Sequence, residues 1–153
     1  MAQPSKDACS STYDLGANVR QYVGRVLEIG DTSSDLALAE RVEAGLPVSA
    51  IDSLARHGVP DSFIFKIVPR RTWQRRRKRD EPLTTEESDR AERVARLLAL
   101  AAIVFDDEER GARWLASPKQ QFANRAPLEL LRTKVGIDVV ERTLLQAYYG
   151  LVA

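Results

Sequence analysis

The residues of this chain best suited to chemistry form a basic run at 70–79, in which seven of ten residues are Lys or Arg. Arg and Gln can each make two hydrogen bonds to the edge of a nucleobase, and the other Lys and Arg side chains can bind phosphates. The net charge of the whole chain is only +1, so attraction to nucleic acid would come from this run. The candidate DNA-binding residues are Arg70, Arg71, Thr72, Gln74, Arg75, Arg76, Arg77 and Lys78.

The elements around the basic run have the outline of a helix-turn-helix. Residues 60–68 read as a short, largely apolar helix. Pro69 ends that helix, because proline suits a turn and pushes the residue before it out of the α region. The run then forms a second helix, which Trp73 is expected to anchor to the domain. The alternative is a solvated charged helix or linker, the commoner role of charge runs.

The sequence does not predict an enzyme. His57 is the only histidine, and it lies beside Gly58 at the end of a predicted helix, where the helix dipole favours it. No Ser-His-acid set, Gly-rich phosphate loop or metal-ligand spacing is present. A single cysteine, Cys9, allows neither an internal disulfide nor a cysteine zinc site. We therefore expect no catalytic residues, no cofactor and no bound metal.

The sequence pattern predicts an all-α fold. Apolar residues recur at helical spacing, with Gly and Pro between the segments and no alternating strand pattern. The helix at 35–44 is expected to bury Leu36, Ala39 and Val42. A helix opened by Pro127 is expected to stop near Gly136. No apolar run has the length of a membrane span and no signal peptide is apparent, so we expect a cytoplasmic protein without a membrane partner.

The clearest helix predicted by the sequence runs from Thr85 to about Phe105. Thr84 and Glu87 have the spacing of a capping box at its start. Because this helix is long enough to serve two cores, the domain boundary is placed just before it. We predict a disordered segment at 1–13, a helix-turn-helix domain at 14–82 and a second helical domain at 83–153.

The second half resembles the toxin-binding domain shared by Xre and ParS antitoxins of bacterial toxin–antitoxin pairs. The resemblance covers about residues 45–153, and its ordered series of motifs is specific although each motif alone is weak. The matching elements are Leu83-Thr-Thr-Glu-Glu-Ser-Asp-Arg90, Arg93-Val-Ala-Arg-Leu-Leu98, Ala112-Arg-Trp-Leu115, Ser117-Pro118, Ala126-Pro-Leu-Glu-Leu-Leu131, Gly136, Val140-Glu141 and Tyr149-Gly150. Pro69-Arg-Arg-Thr72 and Arg75-Arg76 are similar to the end of the family's helix-turn-helix. The chain departs from the family at 120–126, which lacks the usual Gly and Thr or Ser, and at Trp73, where Leu is common.

The resemblance implies two functions. One is neutralisation of a cognate toxin, typically a RES-domain protein that consumes NAD, by covering its active site with the C-terminal domain and final helix. The other is repression of the operon through operator DNA, as a homodimer or a toxin–antitoxin hetero-oligomer. The implied core or toxin-binding residues are Trp114, Leu115, Pro127, Leu128, Leu131, Tyr148, Tyr149, Gly150, Leu151, Val152 and Ala153. Self-packing in the core is the alternative for Trp114, Leu128, Leu131 and Leu151, whereas Tyr149 is off the buried face.

Two other functions are compatible with the same residues. The chain could be a stand-alone helix-turn-helix transcription regulator whose C-terminal domain only dimerises. It could also be an antitoxin whose N-terminal domain has lost operator binding. A neighbouring reading frame for a small RES-type toxin would favour an antitoxin over the stand-alone regulator.

Overall fold

The computed structural model describes residues 7–30 and 32–150, with side chains from residue 15 onward. These residues form an all-α fold and contain no strand, which confirms the predicted fold class. The helices are α1 Asp7–Leu27, α2 Asp35–Ala44, α3 Ser49–Arg56, α4 Asp61–Ile67, α5 Arg70–Arg79, α6 Thr85–Phe105, α7 Glu108–Ala116 and α8 Lys134–Tyr148. Two 3-10 segments, Gln120–Phe122 and Pro127–Arg132, lie between α7 and α8. None of the helices in the described part of the chain is long and apolar enough to cross a membrane.

Helix α6 is the central element, and it has the bounds that the sequence predicts. Its capping box is formed: Thr84 Oγ1 accepts from the Glu87 amide at 3.2 Å, and Glu87 Oε2 accepts from the Thr84 amide at 2.9 Å. Nearly all of its apolar side chains are buried against α1, α2, α7 and α8. Capping therefore fixes where α6 begins, and burial on several faces makes it the core helix of the fold.

One apolar core runs through both halves of the chain. Val23, Val26 and Leu27 of α1 belong to the same buried cluster as Leu115 of α7 and Val140 of α8. Polar contacts also cross residue 82: Leu46 donates its amide to Ser88 Oγ at 2.8 Å, and Leu83 donates its amide to the Leu46 carbonyl at 2.8 Å. The two halves of the chain therefore share one core. The division into domains between residues 82 and 83 remains a prediction.

The first two helices differ from the sequence prediction. Helix α1 begins at Asp7, so 7–13 of the predicted disordered segment is helical, while 1–6 lies outside the described residues. In α2, Leu36 is 69% exposed and Ala39 is exposed, whereas Leu38 is buried. The prediction for Leu36 and Ala39 was wrong because Leu36 and Leu38 lie on different sides of this short helix, and each has small apolar residues near it at helical spacing. Packing against α6 selects the Leu38 face.

The segment after Pro127 also differs. It forms the 3-10 segment Pro127–Arg132, and α8 begins immediately afterwards. Thr133 caps α8, because its Oγ1 accepts from the Gly136 amide at 3.0 Å. Gly136 therefore lies in the first turn of α8 and does not end a helix. A Cβ at this position would collide with the Leu130 carbonyl, so glycine lets α8 pack closely on the 3-10 segment.

Candidate functional site

Helix α5 presents most of the predicted DNA-binding side chains to solvent. It begins directly after Pro69, whose extended backbone (φ −55°, ψ 141°) separates it from α4. Thr72 is half-buried and Arg76 is buried. The exposed candidates are Arg70, Arg71, Gln74, Arg75, Arg77 and Lys78. Arg71, Arg75 and Lys78 follow helical spacing along one side of α5, so three of the candidate DNA-binding cations share one exposed face.

Aromatic contacts hold α5 against α4. The rings of Trp73 and Phe65 meet edge to face with centroids 6.1 Å apart. Arg70 lies over the Phe65 ring at 4.9 Å, and Arg77 lies over the Trp73 ring at 5.2 Å. Trp73 is thus the anchor that the sequence predicts, and the cation–π contact of Arg70 with Phe65 adds a second link between α5 and α4.

Arg76 is on the inner side of α5. It is only 8% exposed and forms an ion pair with Glu87, the residue that also closes the capping box of α6. A buried guanidinium cannot reach a DNA phosphate, so Arg76 does not belong to the exposed face of α5, although the sequence places it among the candidate DNA-binding residues. Helical spacing from Trp73 does not by itself single out Arg76, because Arg70 and Arg77 lie at equivalent spacing from Trp73 and are exposed.

A second helix pair fits a helix-turn-helix better than the pair that the sequence predicted. Helices α3 and α4 are joined by 57–60, a four-residue turn in which Gly58 has φ +96°. That length and a Gly match the usual helix-turn-helix connection, whereas α4 and α5 are separated by only Val68 and Pro69. The turn geometry therefore adds α4 to the candidate DNA-binding surface.

The predicted toxin-binding residues divide into buried and accessible groups. Leu115, Pro127 and Leu128 are buried in the core. Trp114 and Leu131 are half-buried. Trp114 lies between Phe105 and Phe122, with ring centroids 5.9 and 6.1 Å away. Leu128 is thus a core residue, whereas the side chains of Trp114 and Leu131 are partly accessible to a partner.

The end of α8 carries the most exposed aromatic of the predicted set. Tyr149 is 47% exposed, and its ring meets that of Tyr148 edge to face at 5.0 Å. Gly150 follows with φ +67°, which ends the helix. The predicted tail residues Leu151, Val152 and Ala153 lie outside the described residues. An exposed Tyr is a common anchor in protein interfaces, since it combines a large apolar ring with a polar end.

Two shifted pKa values lie away from these surfaces and have structural causes. Burial raises the pKa of the Tyr22 hydroxyl, and the Glu108 carboxylate beside it adds to the effect. Burial also raises the pKa of Glu92, although Arg96 at 2.9 Å partly offsets this. Within the described ranges, no three His, Cys, Asp or Glu side chains are grouped as metal ligands would be. Both pKa shifts therefore result from the burial of Tyr22 and Glu92 where helices pack together.

Comparison with known proteins defines the class. Residues 37–96 match the antitoxin Xre-like helix-turn-helix domain, and residues 100–150 match the antitoxin Xre/MbcA/ParS C-terminal toxin-binding domain. The two matched regions meet within α6. The chain is therefore an all-α protein with a helix-turn-helix region followed by a toxin-binding domain.

Two curated relatives make the family specific. The chain is 36% identical to Antitoxin Xre of Pseudomonas putida over 132 residues, which cover 86% of this chain and 83% of the relative. It is 32% identical to Antitoxin Xre of Yersinia enterocolitica over 114 residues, which cover 71% and 77% respectively. The chain belongs to the Xre antitoxin family.

Proposed function

We propose that this chain is the antitoxin of a type II toxin–antitoxin system, that it neutralises a RES-type toxin that consumes NAD, and that it represses its own operon. The observation that carries the proposal is the presence of both family regions in one chain, each with an accessible surface. Basic α5 serves operator DNA, and the end of α8 serves the toxin. Operator binding requires the protein to act in the cytoplasm.

The DNA-binding half of the proposal rests on uncompensated charge. Within the described part of the chain, Arg71, Arg75 and Lys78 have no carboxylate within ion-pair distance, whereas Arg77 is 4.0 Å from Asp52. Exposed cations without an acidic partner break no ion pair when they bind phosphates, and their binding releases counterions from the DNA. The net charge of +1 gives little non-specific attraction, so affinity would depend on fit to the operator. Dimerisation, alone or through the toxin, would double the contacts.

The toxin-binding half rests on the position of Tyr149. Its exposed ring stands immediately after the last residue of α8, and Gly150 separates it in sequence from the apolar residues Leu151, Val152 and Ala153. A large aromatic followed by three apolar residues suits a cavity that normally admits a small substrate. Burying one such side chain contributes about 1.5–3 kcal/mol. The proposal is that this end of the chain covers the toxin's active site.

Copurification tests the proposal directly. The full chain would be expressed with a tagged RES-type toxin from the adjacent reading frame, and the stoichiometric complex would be isolated. Tyr149→Ala is expected to weaken the complex by roughly tenfold or more, the usual effect of losing a hot-spot aromatic. Val135→Ala is the matched control, because Val135 is an apolar residue of α8 that is 73% exposed near the opposite end of the helix. A wild-type chain that elutes without the toxin contradicts the proposal and favours a stand-alone regulator.

A further inference from the structure

A cleft of about 470 Å³ lies where α4, α6 and the 3-10 segment Pro127–Arg132 meet. Four cations surround it, namely Lys66, Arg90, Arg93 and Arg132, and its walls include the apolar side chains of Phe63 and Leu131. Lys66 and Arg93 lie in the region matched by the helix-turn-helix family, and Arg132 lies in the region matched by the toxin-binding domain. A ligand in the cleft would therefore contact both regions at once.

The charges of the cleft are only partly balanced. Arg93 is paired with Asp89 at 2.8 Å, and Arg90 is 3.9 Å from Glu86. Lys66 and Arg132 are exposed and have no carboxylate within ion-pair distance among the described residues. Lys66 instead lies over the Phe63 ring at 4.9 Å. None of the described residues that line the cleft is a carboxylate, so Lys66 and Arg132 are two cations without an acidic partner beside an apolar wall.

We infer that this cleft docks an acidic segment of the toxin. Carboxylates of that segment pair with Lys66 and Arg132, and an apolar side chain between them packs on Phe63 and Leu131. DNA suits the cleft less well, because its sugar-phosphate backbone presents mainly charged and polar oxygens to these two apolar side chains. The inference rests on the proposed function. It gives the toxin a second, charge-dependent contact, separate from the end of α8.

Charge reversal in the full chain tests the inference. Lys66→Glu and Arg132→Glu would be measured separately and together for toxin affinity by calorimetry, at about 50 and 500 mM salt. Arg41→Glu is the matched control, since Arg41 is an exposed cation of α2 outside the cleft and changes the net charge equally. Each cleft reversal is expected to weaken binding about tenfold at low salt, and the loss should shrink at high salt because exposed charges are screened. Thermal melting of each variant verifies the fold.

The outcomes separate this inference from the proposed function. Cleft variants that bind the toxin as tightly as Arg41→Glu overturn the inference, while toxin binding by the wild-type chain still supports the proposed function. A wild-type chain without toxin affinity contradicts the proposed function and the inference with it. ATP serves as a probe of a small anionic ligand. If ATP raises the melting temperature of the wild-type chain but not that of the double variant, the cleft is a nucleotide site and the inference is wrong.

Discussion

The guanidinium of Arg76 is paired with the carboxylate of Glu87, and these side chains are only 10% and 12% exposed. The same carboxylate accepts the Thr84 amide at 2.9 Å and so closes the N-terminus of α6. One acidic group thus joins the basic helix α5 to the central helix of the fold. The position of the exposed arginines on α5 depends on this buried pair.

Replacing Glu87 by Gln is expected to lower the free energy of unfolding by about 3–5 kcal/mol, because it leaves the Arg76 charge buried without its partner. Urea unfolding of the purified chain measures the change. Arg75→Ala, a neighbouring exposed arginine, is the control and should change stability by no more than about 0.5 kcal/mol. The double variant Arg76→Met, Glu87→Leu should recover much of the loss. Equal stability of Glu87→Gln and wild type would show that the pair contributes little.

Removing Arg71 and Arg75 together is expected to abolish the operator shift in an electrophoretic assay, because both are exposed cations without an acidic partner. If each subunit neutralises about four phosphates, wild-type affinity should fall roughly a hundredfold between about 50 and 200 mM salt. The double variant Arg110→Ala, Arg113→Ala makes the same charge change on exposed positions of α7 and should bind DNA normally. Normal binding by the Arg71, Arg75 variant would exclude α5 from the interface.

Gly111 allows α7 to approach α6. A Cβ at this position would lie 2.8 Å from backbone atoms of Ala101 and Ala102, which cannot move independently of the core helix. Gly111→Ala is therefore expected to destabilise the chain by about 1–3 kcal/mol through overpacking. Gly16→Ala, at an exposed position of α1, is the opposite control, since among the described side chains its Cβ would meet that of Arg20 at an ordinary 3.7 Å. That change should stabilise the helix by about 0.5–1 kcal/mol. A melting temperature of Gly111→Ala at or above that of wild type would show that the two helices can separate without cost.

Glu92 makes stability depend on pH with a defined sign. Burial raises its pKa in the folded chain, so its contribution to stability is complete below the unfolded pKa of about 4.3 and is lost as the pH rises through the raised value. Glu92 lines a second cleft, between α2 and α6, together with Asp35, Glu43, Glu86 and Asp89, and these carboxylates oppose a further negative charge there. Glu92→Gln stays neutral, so its melting temperature should equal that of wild type near pH 4 and exceed it at pH 7.

The control for this titration is Glu86→Gln, an exposed position on the same helix. Its melting temperature should differ from that of wild type by about the same small amount at both pH values, since surface substitutions change stability little. Melting temperatures of Glu92→Gln and wild type that instead differ by the same amount at pH 4 and pH 7 would show that burial does not disfavour the charged form of Glu92.

The sequence predicts the central helix α6 to the residue because two independent signals agree there. The Thr84–Glu87 spacing sets the start, and a long apolar stripe sets the extent. Helix α2 has neither a long stripe nor a distinctive set of inward residues, so the face that packs was decided by α6. The start of α8 was missed although Thr133 is a good N-cap, because Gly136 three residues later was interpreted as a stop.

The site was predictable in composition but not in placement. A run of Lys and Arg residues identifies α5, yet only packing shows that Arg76 is buried and that its neighbour Arg75 is exposed. The same limit applies to the apolar residues of the second half. Leu128 and Leu131 share one motif, but Leu128 is buried and Leu131 is only half-buried, and no local signal distinguishes two leucines three residues apart.

The central claim, that this chain neutralises a NAD-consuming toxin, is tested most directly by the NAD content of cells that express the RES-type toxin. Co-expression of the full chain should restore NAD to the level of cells without toxin. A chain lacking 150–153 should fail to restore NAD while keeping the melting temperature of the full chain. NAD that stays depleted in the presence of the folded full-length chain, at equal or greater abundance than the toxin, would contradict the account.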